Sequence, residues 1–286
     1  MTLPTRPAGV EALRNPVMVA AFEGWNDAGD AATDAVEHLG EVWGAMDVAA
    51  LDPDDYYDFQ VNRPTVALED GTTRRITWPT TRFMVCRLPA AERDLVLVRG
   101  VEPNMRWRGF CEQIVAIAAE LGVAQVVTLG ALLADSPHTR PVPVSGTSSD
   151  PGLASRLGLE HSRYEGPTGI VGVLQDACEK AGLPAVSFWA AVPHYVAQPP
   201  CPKATIALLR RVEDLLDVAV PLAELPEQAR AWERQVDELA AEDSDVAEYI
   251  ASLEEREPEE DLPEASGEAI AKEFERFLRR QDGDTP

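Results

Sequence analysis

Two carboxylates three residues apart, Asp27 and Asp30, are the first residues whose spacing could serve chemistry. On one helical turn they could share a divalent cation, since such ions prefer oxygen ligands. The first turn of a helix also stabilises each carboxylate through the helix dipole, by roughly 0.3–1 kcal/mol. Capping and solvation are therefore the favoured interpretation, and we predict no metal site. The same charges would repel a phosphate, and neither Gly-x-Gly-x-x-Gly nor Gly-Lys-Ser/Thr occurs.

Two further polar pairs could line a ligand site. Glu102 and Asn104 could bind a ribose or accept a proton, but Asn104 is also a good N-cap for a helix that begins near Arg106. His194 and Tyr195 follow an apolar run, where the tyrosine could stack on a ligand or close the core. We favour the cap for Asn104 and the core for Tyr195.

A proline-rich stretch holds the densest set of reactive side chains, with Asp135, Ser136, His138 and Arg140 close together. A Ser-His-Asp hydrolase is the enzyme class to test, but the chain contains no Gly-x-Ser-x-Gly. A local Asp-Ser-Pro-His run is not a triad either, because triad members come together through the fold. Two interpretations stay open: a binding or catalytic loop, or a loop that Arg140 and the prolines fix in place.

Apolar runs and amphipathic stretches predict the elements that position these residues. The runs typical of strands are Val17–Phe22, Val42–Ala49, Arg82–Leu88, Asp94–Val98, Gln125–Leu129 and Ala185–Ala190. Helical spacing covers Asp27–Leu39, Arg106–Leu121, Ile170–Ala181 and Lys203–Leu216. Asn26 is the predicted N-cap of the first helix, and Gly122 and Gly182 are predicted C-caps. Asp70-Gly71 predicts a hairpin that joins Thr65–Leu68 to Thr73–Trp78.

This alternation predicts a three-layer α/β/α fold with a mixed, mostly parallel sheet. In open α/β sheets, ligands bind beyond the carboxyl ends of the strands. The loops at that edge therefore supply the candidate binding residues. We predict that none of these residues is catalytic. The candidates are Glu23, Gly24, Trp25, Asn26, Asp27, Glu102, Asn104, Asp135, His138, Arg140, His194 and Tyr195.

Four stretches carry a resemblance to a known family: Phe22–Gly29, Gly100–Trp107, Thr128–Pro141 and Ser187–Tyr195. Taken together they resemble the proteasome assembly chaperone 2 family in its actinobacterial branch. The resemblance implies a sheet fold similar to that of nucleoside phosphorylases and hydrolases, no enzymatic activity, and proteasome α-subunits as protein partners. Archaeal and eukaryotic relatives often dock through a C-terminal hydrophobic-Tyr-any tripeptide. The sequence given ends in Gly-Asp-Thr-Pro, so we expect contact through the acidic surface or the helical tail.

Composition narrows the function classes. The chain has 286 residues, a formal net charge of −24 and a pI of about 4.4. This charge disfavours nucleic acid and anionic membrane surfaces as partners, because both attract clustered Lys and Arg. No signal-peptide pattern or apolar run of membrane-spanning length occurs, so we expect a cytoplasmic protein. The four cysteines have no zinc or Cys-x-x-Cys spacing, and we predict no cofactor.

The composition changes after Pro221, which predicts a core domain at 1–220 and an acidic helical segment at 221–286. Three stretches of this segment have the spacing of one apolar helix face. They are Trp232, Val236 and Leu239; Val246, Ile250 and Leu253; and Ile270, Phe274, Phe277 and Leu278. Short helices are marginal alone, so we expect them to pack on the core or on a neighbouring subunit.

Three functions remain open. The first is a non-enzymatic, protein-binding assembly chaperone, which we favour. The second is a small-ligand binder or a nucleoside-hydrolase-like enzyme at the strand-end edge. The third is a self-assembling structural protein. Because soluble assemblies are commonly symmetric, we also expect a homo-oligomer.

Overall fold

A seven-stranded sheet organises the protein in a computed structural model that describes residues 12–88, 91–148, 150–159 and 164–256. The strands are β1 (Val17–Glu23), β2 (Met46–Ala50), β3 (Thr65–Glu69), β4 (Thr73–Thr77), β5 (Arg82–Cys86), β6 (Leu95–Val101), β7 (Gln125–Ala134), β8 (Val144–Ser148) and β9 (Ala185–Pro193). The helices are α1 (Ala31–Val42), α2 (Trp107–Glu120), α3 (Pro151–Leu157), α4 (Ile170–Lys180), α5 (Pro202–Leu216), α6 (Leu225–Glu242) and α7 (Ser244–Glu255). Strands β3 and β4 form a separate two-stranded sheet.

The main sheet has the order β2-β5-β6-β1-β7-β9-β8. Its four central strands, β6, β1, β7 and β9, pair in parallel, while β5, β2 and β8 pair antiparallel at the two sides. The predicted mixed sheet is confirmed, but it is not mostly parallel: three of the six strand pairings in this sheet are parallel, all of them at its centre, and three are antiparallel. Because parallel strands share a direction, the loops after β1, β6, β7 and β9 leave from one edge.

Helices cover both faces of this sheet, which confirms the three-layer architecture. Alternate β1 side chains enter opposite core clusters, Val17, Val19 and Ala21 on one face and Met18, Ala20 and Phe22 on the other. The first cluster includes α1, α5 and α6, and the second includes α2 and α4. This two-sided burial explains why β1 is a continuous apolar run instead of an alternating one.

The structure corrects several predicted boundaries. The strand predicted at Val42–Ala49 begins too early, because α1 continues to Val42 and the chain reverses at Gly44 with a φ of +63°. Strands β7 and β9 extend several residues beyond the predicted ends. Strand β8 and helix α3 were not predicted at all. The predicted hairpin is confirmed, with positive φ at both Asp70 and Gly71.

Helix ends follow the predicted pattern at their C-termini but not at the start of α1. Gly122 and Gly182 both have a φ of +72°, and their N–H groups donate to carbonyls of the preceding helices, so the predicted C-caps are confirmed. Asn26 is not the N-cap of α1. A single 3-10 turn, Ala28–Asp30, lies between Asn26 and the helix, and the Asp27 carboxylate accepts from the first-turn amides instead.

The C-terminal helices lie against the same body. Trp232 and Val236 of α6 are buried in the cluster that contains α1 and α5, whereas Leu239 is exposed. Ile250 and Leu253 of α7 are buried as well. The third predicted stretch, at 270–278, lies outside the described residues, and the division at residue 220 stays a prediction. No helix in the described part of the chain is both long and apolar enough to cross a bilayer.

Candidate functional site

Glu102 joins three elements at the strand-end edge. It follows β6, and its Oε1 accepts from Asn26 Nδ2 at 2.6 Å and from the backbone N–H of Ile170, the first residue of α4, at 2.9 Å. Its own N–H donates to the carbonyl of Glu23. Burial raises the pKa of Glu102, although these hydrogen bonds partly oppose that rise. The carboxylate therefore fixes the turn after β1 against the start of α4.

Asp27 is almost completely buried, with 4% of its surface exposed. Its carboxylate accepts from the N–H of Ala32 at 2.6 Å, from the N–H of Thr33 at 3.2 Å and from the Thr33 hydroxyl. Burial raises the pKa of Asp27 to about 7, and the hydrogen bonds from Thr33 and Ala32 oppose this rise. The side chain thus satisfies the amides that open α1.

The backbone of the same turn is fixed on both sides. Gly24 has a φ of +119°, which L side chains rarely adopt, and Trp25 beside it is half-buried. The carbonyl of Asn26 accepts from the N–H of Ala131 in β7 at 2.8 Å. In the described part of the chain, no group of three or more His, Cys, Asp or Glu side chains is placed to hold a metal ion.

Asn104 does not cap α2, contrary to the prediction. Its Oδ1 accepts from the N–H of Asp58 and from Asn62 Nδ2, both at 2.8 Å. Helix α2 begins only at Trp107, after Arg106 in the left-handed region with a φ of +57°. Asn104 therefore fastens the loop before β3 to the end of β6 and takes no part in the networks of Glu102 and Asp27.

His138 lies at the centre of a second network. Its Nδ1 is 2.8 Å from the Tyr195 hydroxyl, and its Nε2 is 3.0 Å from Asp237 Oδ1. The Tyr195 oxygen also accepts from the His138 N–H at 2.7 Å. The hydroxyl can then donate to Nδ1, which leaves the Nε2 proton for the Asp237 carboxylate; this assignment of protons follows from the partners. Burial raises the pKa of Tyr195 to about 12.

Helix α7 covers the rest of this loop. Arg140 donates to the carbonyls of Arg256, at 2.9 Å, and Glu254. The Thr139 hydroxyl donates to Glu254 Oε1 at 2.6 Å. One more contact ties α6 to the same loop, because Lys203 Nζ bridges the His138 carbonyl and Glu233 Oε1.

Asp135 and His194 complete the covered edge. The His194 Nδ1 is 3.3 Å from Asp135 Oδ1, and the other Asp135 oxygen is 3.9 Å from Arg256 Nη1. The ring of Tyr249 on α7 packs edge-on against His194, with 5.0 Å between centroids. Apart from Asn104, the predicted site residues thus form two groups. One group joins the turn after β1 to the start of α4, and the other lies in the loops after β7 and β9 that α6 and α7 contact.

Sequence reasoning missed the partners that seal this loop. Asp237 and Glu233 lie on α6 and Glu254 lies on α7, within the acidic segment that follows Pro221. The acidic composition gave no sign that these three carboxylates contact the loop, because α6 and α7 carry many similar residues. Lys203 offered the better signal, as one of three lysines in the chain.

Comparisons with known proteins agree with this architecture. The model of the PAC2 family matches residues 21–240. A PAC2 family protein from Streptomyces avermitilis is 68% identical over 82% of this chain and 99% of its own, with a TM-score of 0.77. A proteasome-assembly chaperone homologue from Mycobacterium tuberculosis is 62% identical over the same shares, with a TM-score of 0.76. An archaeal proteasome activator from Pyrococcus furiosus, 19% identical over 83% of this chain and 97% of its own, shares the fold with a TM-score of 0.64. A comparison with curated proteins finds no match.

Proposed function

Because the chain belongs to the PAC2 family, we propose that it is a non-enzymatic assembly chaperone whose partners are proteasome α-subunits. The family match and the 62% identical chaperone homologue support an assembly-chaperone role. The choice of proteasome α-subunits goes one step further and follows the resemblance of the strand-end motifs. We place this activity in the cytoplasm.

The observation that carries the proposal is the occupied strand-end edge. The ring nitrogens of His138 are held by the Tyr195 hydroxyl and by Asp237, and burial raises the pKa of Tyr195 to about 12, which makes this hydroxyl a poor nucleophile near neutral pH. The carboxylates of Glu102 and Asp27 accept hydrogen bonds from backbone N–H groups of α4 and α1 respectively. Groups used in this way hold the fold together, which favours a function carried by the outer surface over a reaction at this edge.

The acidic outer surface of α6 and α7 is the contact region we propose for the partner. The chain carries 49 acidic and 25 basic residues, and a field of this size steers basic partners toward the surface. Such contacts between exposed charges weaken as salt is added, since the Debye length falls to about 10 Å at 0.1 M.

A pull-down with recombinant proteasome α-subunits at low and moderate salt tests this function. The full-length protein should retain the α-subunits, with less retained at moderate salt. A variant that replaces Glu238, Glu242 and Glu248 by Lys removes exposed acids from α6 and α7 and should lose most of the signal. The matched control makes the same three changes on the opposite layer, at Glu112, Glu120 and Glu179.

Two results would contradict the proposal. Recovery of the bait alone at low salt would remove proteasome α-subunits as partners. Equal losses in the two triple variants would mean that general charge, rather than the surface of α6 and α7, governs binding.

A thermal-shift screen with nucleosides and divalent metals addresses the enzyme alternative, which predicts stabilisation by at least one of these ligands.

A further inference from the structure

Helix α7 is joined to α6 through one non-helical residue. Asp243 lies between Glu242 and Ser244 and has extended backbone angles, with a φ of −124° and a ψ of 109°. Its carboxylate accepts from the backbone N–H of Asp245 at 2.9 Å and of Val246 at 3.3 Å. Because this cap belongs to the connection itself, the first turn of α7 needs no donor or acceptor from the body of the protein. Rotation about the Asp243 backbone would therefore move α7 as one unit.

The apolar underside of α7 is small. Ile250 and Leu253 are buried, and Tyr249 is half-buried. Among the described residues, neither core cluster contains any residue of α7, whereas the first cluster includes Trp232 and Val236 of α6. Two aliphatic side chains hold a helix less firmly than a complete apolar stripe that enters the core. Helix α7 is therefore docked on the body of the protein and is not part of its core.

The polar contacts beneath α7 are mostly exposed to water. The Thr139 hydroxyl donates to Glu254, and Arg140 donates to the backbone carbonyls of Glu254 and Arg256, all at exposed positions. The ion pair of Asp135 and Arg256 spans 3.9 Å, and more than half of each side chain is exposed. Exposed pairs of this kind add little stability, because water and salt compete for both partners. Closure of α7 over the loop therefore has a small net gain.

The surface beneath α7, here called the helix seat, contacts an aromatic side chain and a helix end. Its members are Asp135, Thr139, Arg140, His194 and Tyr195. The ring centroids of His194 and Tyr195 lie 5.0 and 6.1 Å from that of Tyr249, and both rings pack edge-on. Arg140 binds carbonyls at the C-terminal end of α7, where no N–H of the helix itself is available. A cation at this end also interacts favourably with the helix dipole.

The contacts favour a helix of another protein over the α7 of a second copy. Each copy already places its own α7 on the seat through a one-residue connection, so a second copy offers the same contacts without that tether. A foreign helix gains where α7 leaves a group unpaired. His194 Nδ1 is such a group, because it is buried and no described residue completes a hydrogen bond to it, although Asp135 Oδ1 is 3.3 Å away. A helix that places a polar group at this nitrogen would therefore bind more tightly than α7.

We propose that the helix seat binds the C-terminal end of an amphipathic helix from a partner protein, and that α7 occupies the seat in cis as an autoinhibitory strap. The partner helix carries the pattern of Tyr249, Ile250 and Leu253, in which an aromatic residue precedes two aliphatic ones. Its last carbonyls lie between one and two turns beyond the aromatic residue, within reach of Arg140. The seat is distinct from the outer acidic surface of α6 and α7, so the inference goes beyond proteasome binding.

Fluorescence anisotropy with a labelled peptide of residues 243–256 tests the seat in the full-length protein. An open variant, Ile250→Asp with Leu253→Asp, places two charges on the underside of α7 and should lift it from the seat. This variant should bind the peptide about tenfold more tightly than wild type, in which the tethered α7 competes. Addition of Arg140→Ala to the open variant should weaken binding by about fivefold, and so should Tyr249→Ala in the peptide.

A control peptide and hydrogen exchange complete the test. Glu248→Ala in the peptide changes a residue on the exposed side of α7 and should leave its affinity unchanged. In wild type, α7 should exchange faster than β7 and β9 at every protein concentration, because the strap opens while the sheet stays folded. In the open variant, α7 should lose its protection, and β7 and β9 should keep theirs.

The proposal is overturned if the open variant binds the peptide no more tightly than wild type, or if Arg140→Ala leaves that binding unchanged. Loss of the whole fold in the open variant would also overturn it, because α7 would then belong to the core. Protection of α7 that rises with protein concentration would identify the α7 of a second copy as the occupant and exclude the foreign helix. The peptide assay contains no proteasome α-subunit, so its failure and a failed pull-down are separate outcomes.

Discussion

Asp27→Asn tests whether the buried carboxyl of the β1 turn makes stability depend on pH. The pKa of Asp27 is raised from 3.8 to about 7, mainly by burial. A raised pKa means that the folded protein holds the proton more tightly than the unfolded chain. The resulting stabilisation is complete below about pH 3.8 and is lost as the pH rises through about 7.

The size of the effect follows from the same shift. Each pKa unit corresponds to about 1.36 kcal/mol, and about two units lie between pH 5 and the folded pKa. Ionisation of Asp27 should therefore lower the free energy of unfolding by roughly 2–3 kcal/mol between pH 5 and pH 8. Asn keeps an oxygen that can accept from the Ala32 N–H but carries no ionisable proton.

Urea unfolding followed by circular dichroism at about pH 5 and pH 8 measures this loss. The wild-type free energy of unfolding should fall more steeply with pH than that of Asp27→Asn. Asp34→Asn is the matched control, since Asp34 lies on α1, is only half-buried and has its pKa raised to about 6, mainly by burial. Its effect on the pH slope should be smaller. The reasoning would be refuted by equal slopes in wild type and Asp27→Asn, or by a wild type that gains stability over this range.

Three more changes probe the contacts that hold the edge together. Glu102→Ala leaves two donors without their acceptor and should lower the free energy of unfolding by about 2–4 kcal/mol, whereas Glu102→Gln, which keeps an acceptor, should retain most of it. Trp232→Ala should cost about 3–5 kcal/mol by urea unfolding because it leaves a cavity between α6 and the core, and exposed Leu239→Ala should change stability by under about 0.5 kcal/mol. Arg140→Ala removes the anchors to the end of α7, so hydrogen exchange should speed up across α7 and remain unchanged in β7; equal protection of α7 in both proteins would contradict this role.

Local patterns were enough to predict the central sheet. The run at β1 is apolar on both alternating faces, as a strand between two helical layers must be, and Gly122 and Gly182 end their helices as their conformational freedom suggests. The predicted start of β2 was wrong because no polar residue separates the end of α1 from the beginning of the strand in the sequence. Strand β8 was missed because its Val-Ser-Gly-Thr-Ser sequence has little apolar signal, and pairing with β9 supplies what the sequence lacks.

The side-chain partners at the edge were largely beyond sequence reasoning. The His138 ring meets Asp237 across 99 positions of sequence, and no local spacing encodes such a contact. Asn104 had every property of an N-cap, but a stronger set of donors from the 58–62 loop takes its oxygen. In both cases the side chain's partner comes from a distant part of the chain, which is common where loops from different elements converge.

The raised pKa values around α1 suggest why the edge is built from carboxylates at all. Burial is the largest cause of the rise for Glu23, Asp27, Asp30, Asp34 and Glu102. Isolated buried charges are costly, and such groups persist where backbone donors or cations need them. Asp27 and Glu102 accept hydrogen bonds from backbone N–H groups at the starts of α1 and α4. Arg99 Nη2 lies 3.2 Å from Glu23 Oε1 and 3.2 Å from Glu37 Oε2.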